Sequence, residues 1–89
     1  MAPGSYSIYV LRNPEGKFYI GVTDDVPRRL AQHNDGISKW TRGKGPWLLV
    51  WQQGDLTLSQ ARKLENALKR QKGGDGFYRL TGLQRESGS

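Results

Sequence analysis

Four residues, Asn13-Pro14-Glu15-Gly16, separate two short runs of alternating polarity, and this pairing limits the fold more than any other stretch. Pro14 presets its φ and Gly16 accepts a positive one, so the four residues make a turn. Before the turn, Tyr6, Ile8 and Val10 fall on one face of an extended segment, with Ser7, Tyr9 and Leu11 on the other. After it, Phe18, Ile20 and Val22 share one face, and Lys17, Tyr19 and Gly21 the other. The two runs predict a β-hairpin. Its apolar side joins Ile8 and Val10 to Phe18 and Ile20, which leaves Tyr9 and Tyr19 together on the opposite side.

Asp25 is placed to cap a helix opening with Val26-Pro27, where proline is tolerated because its missing N–H has no helical partner. The helix is expected to reach about Asn34, with Gly36 as its stop. Within it Val26 and Leu30 seek the core, while Arg29 and His33, four residues apart, share the neighbouring stripe. Residues 36–46 hold three glycines, three cations and Trp40, and read as a basic loop or short helical turn. Trp47 to Trp51 is an unbroken apolar run, expected to be a strand buried on both faces in the middle of a small sheet.

Thr57-Leu58-Ser59-Gln60 has the spacing of a capping box and predicts a helix from about Leu58 to Lys72, ended by Gly73-Gly74. Leu58, Ala61, Leu64 and Leu68 form its apolar stripe, and Glu65 lies about 60° from the middle of that stripe, at the border of the core. From Asp75 to Leu83, the residues Phe77, Tyr78, Leu80 and Leu83 suit one short amphipathic turn or helix that closes the core. The expected fold is α/β in the α+β sense: a small three-stranded antiparallel sheet flanked by helices. Its order is β-β-α-(short α or loop)-β-α with a short C-terminal helix or turn. Residues 6–83 form the single domain, with 1–5 and 84–89 as a disordered start and tail.

A chain of 89 residues makes one domain and buries only about 60 to 65% of its unfolded surface. The formal charge of +6 favours polyanionic partners, nucleic acid first. No apolar run approaches the ~20 residues of a membrane span, and no charged-then-apolar leader is visible, so no membrane role is expected. There are no cysteines, which excludes disulfides, thiolate ligands and a cysteine nucleophile, and fits a cytoplasmic setting.

Each candidate residue also has a plain structural explanation. Tyr9 and Tyr19 suit a packing pair. His33 suits the dipole and last carbonyls of its helix. Arg29, beside Arg28, suits a solvated surface, and Glu65 precedes Lys69 by four residues in the favourable order for an ion pair. Trp40 suits core packing as well as stacking on a base.

Taken together, these residues form a more specific pattern. Ser7-Ile8-Tyr9, Tyr19-Ile20-Gly21, Arg29 eight residues beyond that glycine, His33 four later and a distant helical Glu65 resemble the GIY-YIG nuclease family. The likeness runs from about Tyr6 to Lys72 and includes the Arg28-to-Asn34 helix and the Lys39-Trp40-Thr41-Arg42-Gly43 loop. It is similar in these stretches to the small stand-alone bacterial members and to the catalytic module of the family's structure-specific endonucleases. One position departs from the pattern: Ser7 stands where the family name has glycine.

The resemblance implies a metal-dependent endonuclease acting on single-stranded or branched DNA, in repair or recombination. Glu65 would be the sole protein ligand of one hydrated Mg²⁺ or Mn²⁺. Tyr9, near Tyr19 and His33, would orient the attacking water and accept its proton. A free phenol has a pKa of about 10, so Arg29 or His33 must either lower it or take the proton onward. Arg29 would also grip a non-bridging phosphate oxygen. Lys39, Trp40, Arg42, Lys44, Lys69 and Lys72 would contact the nucleic acid. The resemblance leaves room for a protein partner that supplies specificity, and the sequence sets no oligomeric state. The rival readings are a catalytically weak nucleic-acid-binding module of the same fold and a protein-interaction adaptor.

Overall fold

A computed structural model describes residues 4–37, 39–72 and 74–83. Of the expected disordered start at 1–5, residues 1–3 lie outside the described residues, as do the expected tail at 84–89 and Gly73 as a helix stop. The elements follow in the order β1 (Tyr6–Arg12), β2 (Phe18–Thr23), α1 (Val26–Asn34), β3 (Leu48–Leu56), α2 (Leu58–Arg70) and α3 (Asp75–Thr81). The sheet is antiparallel throughout with strand order β2-β1-β3. This is the three-stranded, helix-flanked arrangement expected from the sequence.

Asn13 builds the β1–β2 turn: its side-chain oxygen accepts from the Glu15 and Lys17 amides, at 3.1 and 2.8 Å, while Gly16 takes a φ of 82°. The register sets Tyr9 opposite Gly21 and Leu11 opposite Tyr19. Ile8, Val10 and Ile20 form one core with Leu68 of α2 and Phe77 of α3, and Phe18, Leu64 and Tyr78 pack around it. The opposite face is also covered. There Tyr9 and Leu11 are buried with Val26 of α1 and Trp47, and Tyr19, Leu30 and Leu49 pack beside them. The Tyr9 face of the hairpin is thus a second core rather than a wet surface.

Both long helices begin as their sequences predict. The Asp25 side chain accepts from the Arg28 amide at 3.0 Å, and Thr57 and Gln60 satisfy each other's amides in a capping box. Helix α2 ends at Arg70, two residues before the expected limit, because Gln71 already takes the cap position, with its N–H on the Leu68 carbonyl and the Lys72 N–H on the Lys69 carbonyl. Gly74 donates its amide to Gln71 just beyond.

Three expectations need correction. The Trp47-to-Trp51 run is not the middle of the sheet: β1 is, and β3 forms an edge on which Leu48 is 67% exposed. The apolar run arises because Leu49 joins the tyrosine-face core while Val50 and Trp51 serve the other, across a bulge between Val10 and Leu11 of β1. Leu58 opens the apolar stripe of α2 yet is exposed, since it sits in the first turn beyond the edge of the core. In α3 the inward positions are Phe77 and Thr81, four apart, so Leu80 is turned out to solvent.

Candidate active site

The tyrosine-face core contains a hydrogen-bonded chain of side chains. Tyr9 Oη lies 2.9 Å from His33 Nε2, and His33 Nδ1 lies 2.7 Å from Thr41 Oγ1. All three residues are almost wholly buried. Tyr9 is brought there by β1 and His33 by the last turn of α1, with the ring of Tyr19 on β2 4.6 Å from the His33 ring and 6.3 Å from that of Tyr9. The hairpin pairing and the helical spacing of His33 therefore converge on one point. His33 is held at both ring nitrogens by side chains, so the helix dipole does not account for its place.

Burial dominates the electrostatics. It pushes the Tyr9 hydroxyl up to about 12, helped by the neighbouring Tyr19 and opposed by the positive charge of Arg29. It pushes His33 down to about 4, with the Arg29 charge acting in the same direction. Arg29 is half-buried and donates to Gln32 Oε1 at 2.8 Å, whereas Arg28 pairs with Asp24 in solvent. The two adjacent arginines are thus sorted, one toward the tyrosine and one away. Arg29 acts to lower the Tyr9 pKa, as expected of a nearby cation, but it offsets only part of the desolvation, so the hydroxyl stays above its ordinary value.

Glu65 sits on α2 with its side chain 20% exposed and Oε2 3.2 Å from Lys69 Nζ. The ion pair suggested by its spacing is present. Among the described residues no three His, Asp or Glu side chains converge. An ion held at Glu65 would therefore have at most one other such ligand, a donor set that suits a hard cation that keeps its waters, as Mg²⁺ does.

A recess of about 840 Å³ lies along β2, from Gly16 at the turn to Tyr19 beside the tyrosine cluster. Lys69 of α2 and Lys72 just beyond its end line it, together with Trp40, Lys44 and Trp47. The Lys72 ammonium is pushed below the usual lysine range by burial and by the charge of Lys69. Trp40 is 74% exposed, which rules out the core-packing alternative. Lys39 and Arg42 are exposed on the same loop but do not line the recess. Lys17 and Tyr78 do line it. Neither carries a signal in the sequence, since one reads as an outward strand residue and the other as part of a core-closing turn.

Thr41, Asn34 and Trp47 form the other missed group. Asn34 holds the Trp47 backbone at both ends, accepting from its N–H at 2.6 Å and donating to its carbonyl at 3.0 Å. The Trp47 indole N–H in turn donates to the Thr41 carbonyl at 3.0 Å. The basic loop is therefore clamped to the end of α1.

No helix among the described residues is long and apolar enough to cross a membrane. A sequence model described as the GIY-YIG catalytic domain matches residues 5–77. The chain is 46% identical over 69 residues to a UPF0213 protein of Aeromonas salmonicida, a match covering 76% of this chain and 51% of that one. It is 44% identical over 66 residues to a UPF0213 protein of Streptococcus pneumoniae, covering 73% and 67%. It thus spans about half the length of the first relative and about two thirds of the second. A UPF0213 protein of Bacillus halodurans, solved by NMR, is 35% identical with a TM-score of 0.46, covering 73% of this chain and 70% of that one. With the domain match extending from before β1 into α3, the chain belongs to the GIY-YIG catalytic domain family.

Proposed function

We propose that the chain is a metal-dependent endonuclease that hydrolyses phosphodiester bonds in single-stranded or branched DNA. The observation that carries this reading is the 2.9 Å contact between the Tyr9 hydroxyl and the buried His33, beside a lysine-lined recess that Tyr19 borders. Glu65 would hold one Mg²⁺ or Mn²⁺ with Lys69 giving up its carboxylate oxygen. When bound, the ion supplies positive charge to the phosphate and to the departing oxygen.

With its pKa near 12, Tyr9 is a phenol and not a standing phenolate at neutral pH. It works as a relay. As a water attacks phosphorus, the water's proton passes to Tyr9 Oη and the Tyr9 proton passes to His33 Nε2. The new P–O bond forms as the bond to the 3′ oxygen breaks, and that oxygen takes its proton from solvent. His33 ends as an imidazolium, a form that an adjacent phosphate anion favours. Arg29 holds a non-bridging oxygen while negative charge develops. Lys44, Lys69 and Lys72 hold flanking phosphates, and Trp40 offers a stacking face to an unpaired base. A role in repair or recombination follows from such substrates.

The Glu65–Lys69 ion pair favours one second reading, a binding module in which the carboxylate is structural. Incubation with labelled single strands, flaps and junctions in Mg²⁺, with and without EDTA, separates the two. Products that vanish with EDTA support the nuclease, whereas binding without any product on the whole panel supports the module.

A further inference from the structure

Each ring nitrogen of His33 has one hydroxyl within hydrogen-bonding distance, so two proton arrangements fit the same heavy atoms. In one, Tyr9 donates to Nε2 and Nδ1–H donates to Thr41. In the other, Thr41 donates to Nδ1 and Nε2–H donates to Tyr9. We infer that Thr41 is the positioning residue that holds His33 in the first arrangement, protonated at Nδ1 and open at Nε2.

The chemistry of the donors decides between them. A phenol O–H is a far stronger donor than an aliphatic hydroxyl, and an imidazole nitrogen is a better acceptor than a phenol oxygen. The first arrangement therefore pairs the best donor with the best acceptor and gives the imidazole N–H the more basic hydroxyl oxygen. It also leaves the Tyr9 oxygen free to accept, as the Arg29 guanidinium beside it requires. The second arrangement directs donors at the Tyr9 oxygen and leaves the Tyr9 proton without the imidazole, in a buried site where an unpaired polar group is costly.

Thr41 can impose this choice because it is fixed. Its neighbours Trp40 and Arg42 are exposed, but Thr41 is 1% exposed and its carbonyl accepts from both the Trp47 indole and the Lys44 amide. Asn34, the residue after His33, anchors Trp47 through both backbone groups. The imidazole and its hydroxyl acceptor are thus tied to one helix end. The consequence for turnover rests on the proton relay proposed above, but the tautomer itself does not depend on cleavage.

The chain has one histidine, so ¹⁵N-labelled protein gives a single imidazole pattern in long-range ¹H–¹⁵N correlation spectra. At neutral pH the wild type is expected to show Nδ1 protonated and Nε2 unprotonated. Thr41→Val, which keeps the shape but removes the acceptor, should move the population toward the Nε2–H form, and Thr41→Ser should restore the original pattern. Tyr9→Phe removes the phenol donor and should weaken the preference for Nδ1–H. An Nε2–H tautomer in the wild type or a wild-type pattern in Thr41→Val overturns the inference. If Thr41→Val does not fold, Thr41→Ala replaces it with the same expected shift, and an Nε2–H tautomer in the wild type still overturns the inference. For a protein that cleaves DNA, Thr41→Val should lower the single-turnover rate by roughly 10²-fold, with recovery in Thr41→Ser. A chain inactive in all forms but showing the expected spectra would overturn the nuclease reading and leave the tautomer assignment standing.

Discussion

Tyr9 and Gly21 face each other across the β1–β2 ladder, and the tyrosine fills the space that a side chain on Gly21 would need. A Cβ built at Gly21 would overlap the Tyr9 hydroxyl and stand 2.6 Å from the ring carbon bearing it. The last glycine of the second motif therefore makes room for the tyrosine of the first. Gly21→Ala should push the phenol away from His33, costing about 1–3 kcal/mol of stability. Cleavage should fall by roughly 10²-fold with it. Chemical denaturation and single-turnover cleavage measure both, and an unchanged rate would separate Tyr9 placement from activity.

The His33 pKa has a consequence for stability. Its value falls from 6.5 unfolded to about 4 folded, so below pH 6.5 the unfolded chain binds more protons than the folded one. Stability contributed by this group is complete above pH 6.5 and declines as pH falls toward 4. Between pH 6.5 and 5 the loss should approach about 2 kcal/mol. Urea titrations across that interval test this, and His33→Gln should flatten the dependence.

The relay assigns different parts to Tyr9 and Arg29. Tyr9→Phe removes the proton path but keeps the packing, so it should lower turnover by roughly 10² to 10⁴-fold with little change in DNA affinity. Arg29→Ala should lower both turnover and affinity, since it grips the phosphate. Equal effects of the two variants on affinity would contradict this division.

The recess makes a claim about binding. Trp40 is exposed, so Trp40→Ala should leave stability unchanged while weakening single-strand binding by about 1–3 kcal/mol. Lys44→Gln or Lys72→Gln should each lower the slope of log affinity against log salt by about 0.7. Fluorescence anisotropy over a salt series reads both effects.

Much of this architecture is legible in the sequence because it is locally determined. The Asn13-to-Gly16 turn, the Asp25 cap and the Thr57–Gln60 capping box each act within four residues, and alternation then brings Tyr9 and Tyr19 to one face. The position of β3 is not legible: an apolar run looks the same whether a strand lies inside a sheet or forms an edge that serves two cores. Thr41 carries no spacing signal, since its contact with His33 depends on how a loop is clamped back by Asn34 and Trp47. The rise in the Tyr9 pKa was hidden for a related reason. Adjacency to Arg29 can be read from the motifs, but the depth of burial that outweighs it appears only when α1 and Trp47 close over the sheet.

The central claim is hydrolysis dependent on a metal at Glu65, and the direct measurement is single-turnover cleavage of a labelled single-stranded or branched oligonucleotide in Mg²⁺. Wild type should cleave in Mg²⁺ and stop in EDTA, while Glu65→Ala should bind the same DNA and fold normally without cutting it. Cleavage by Glu65→Ala at the wild-type rate, or wild-type cleavage that persists in EDTA, would contradict the account.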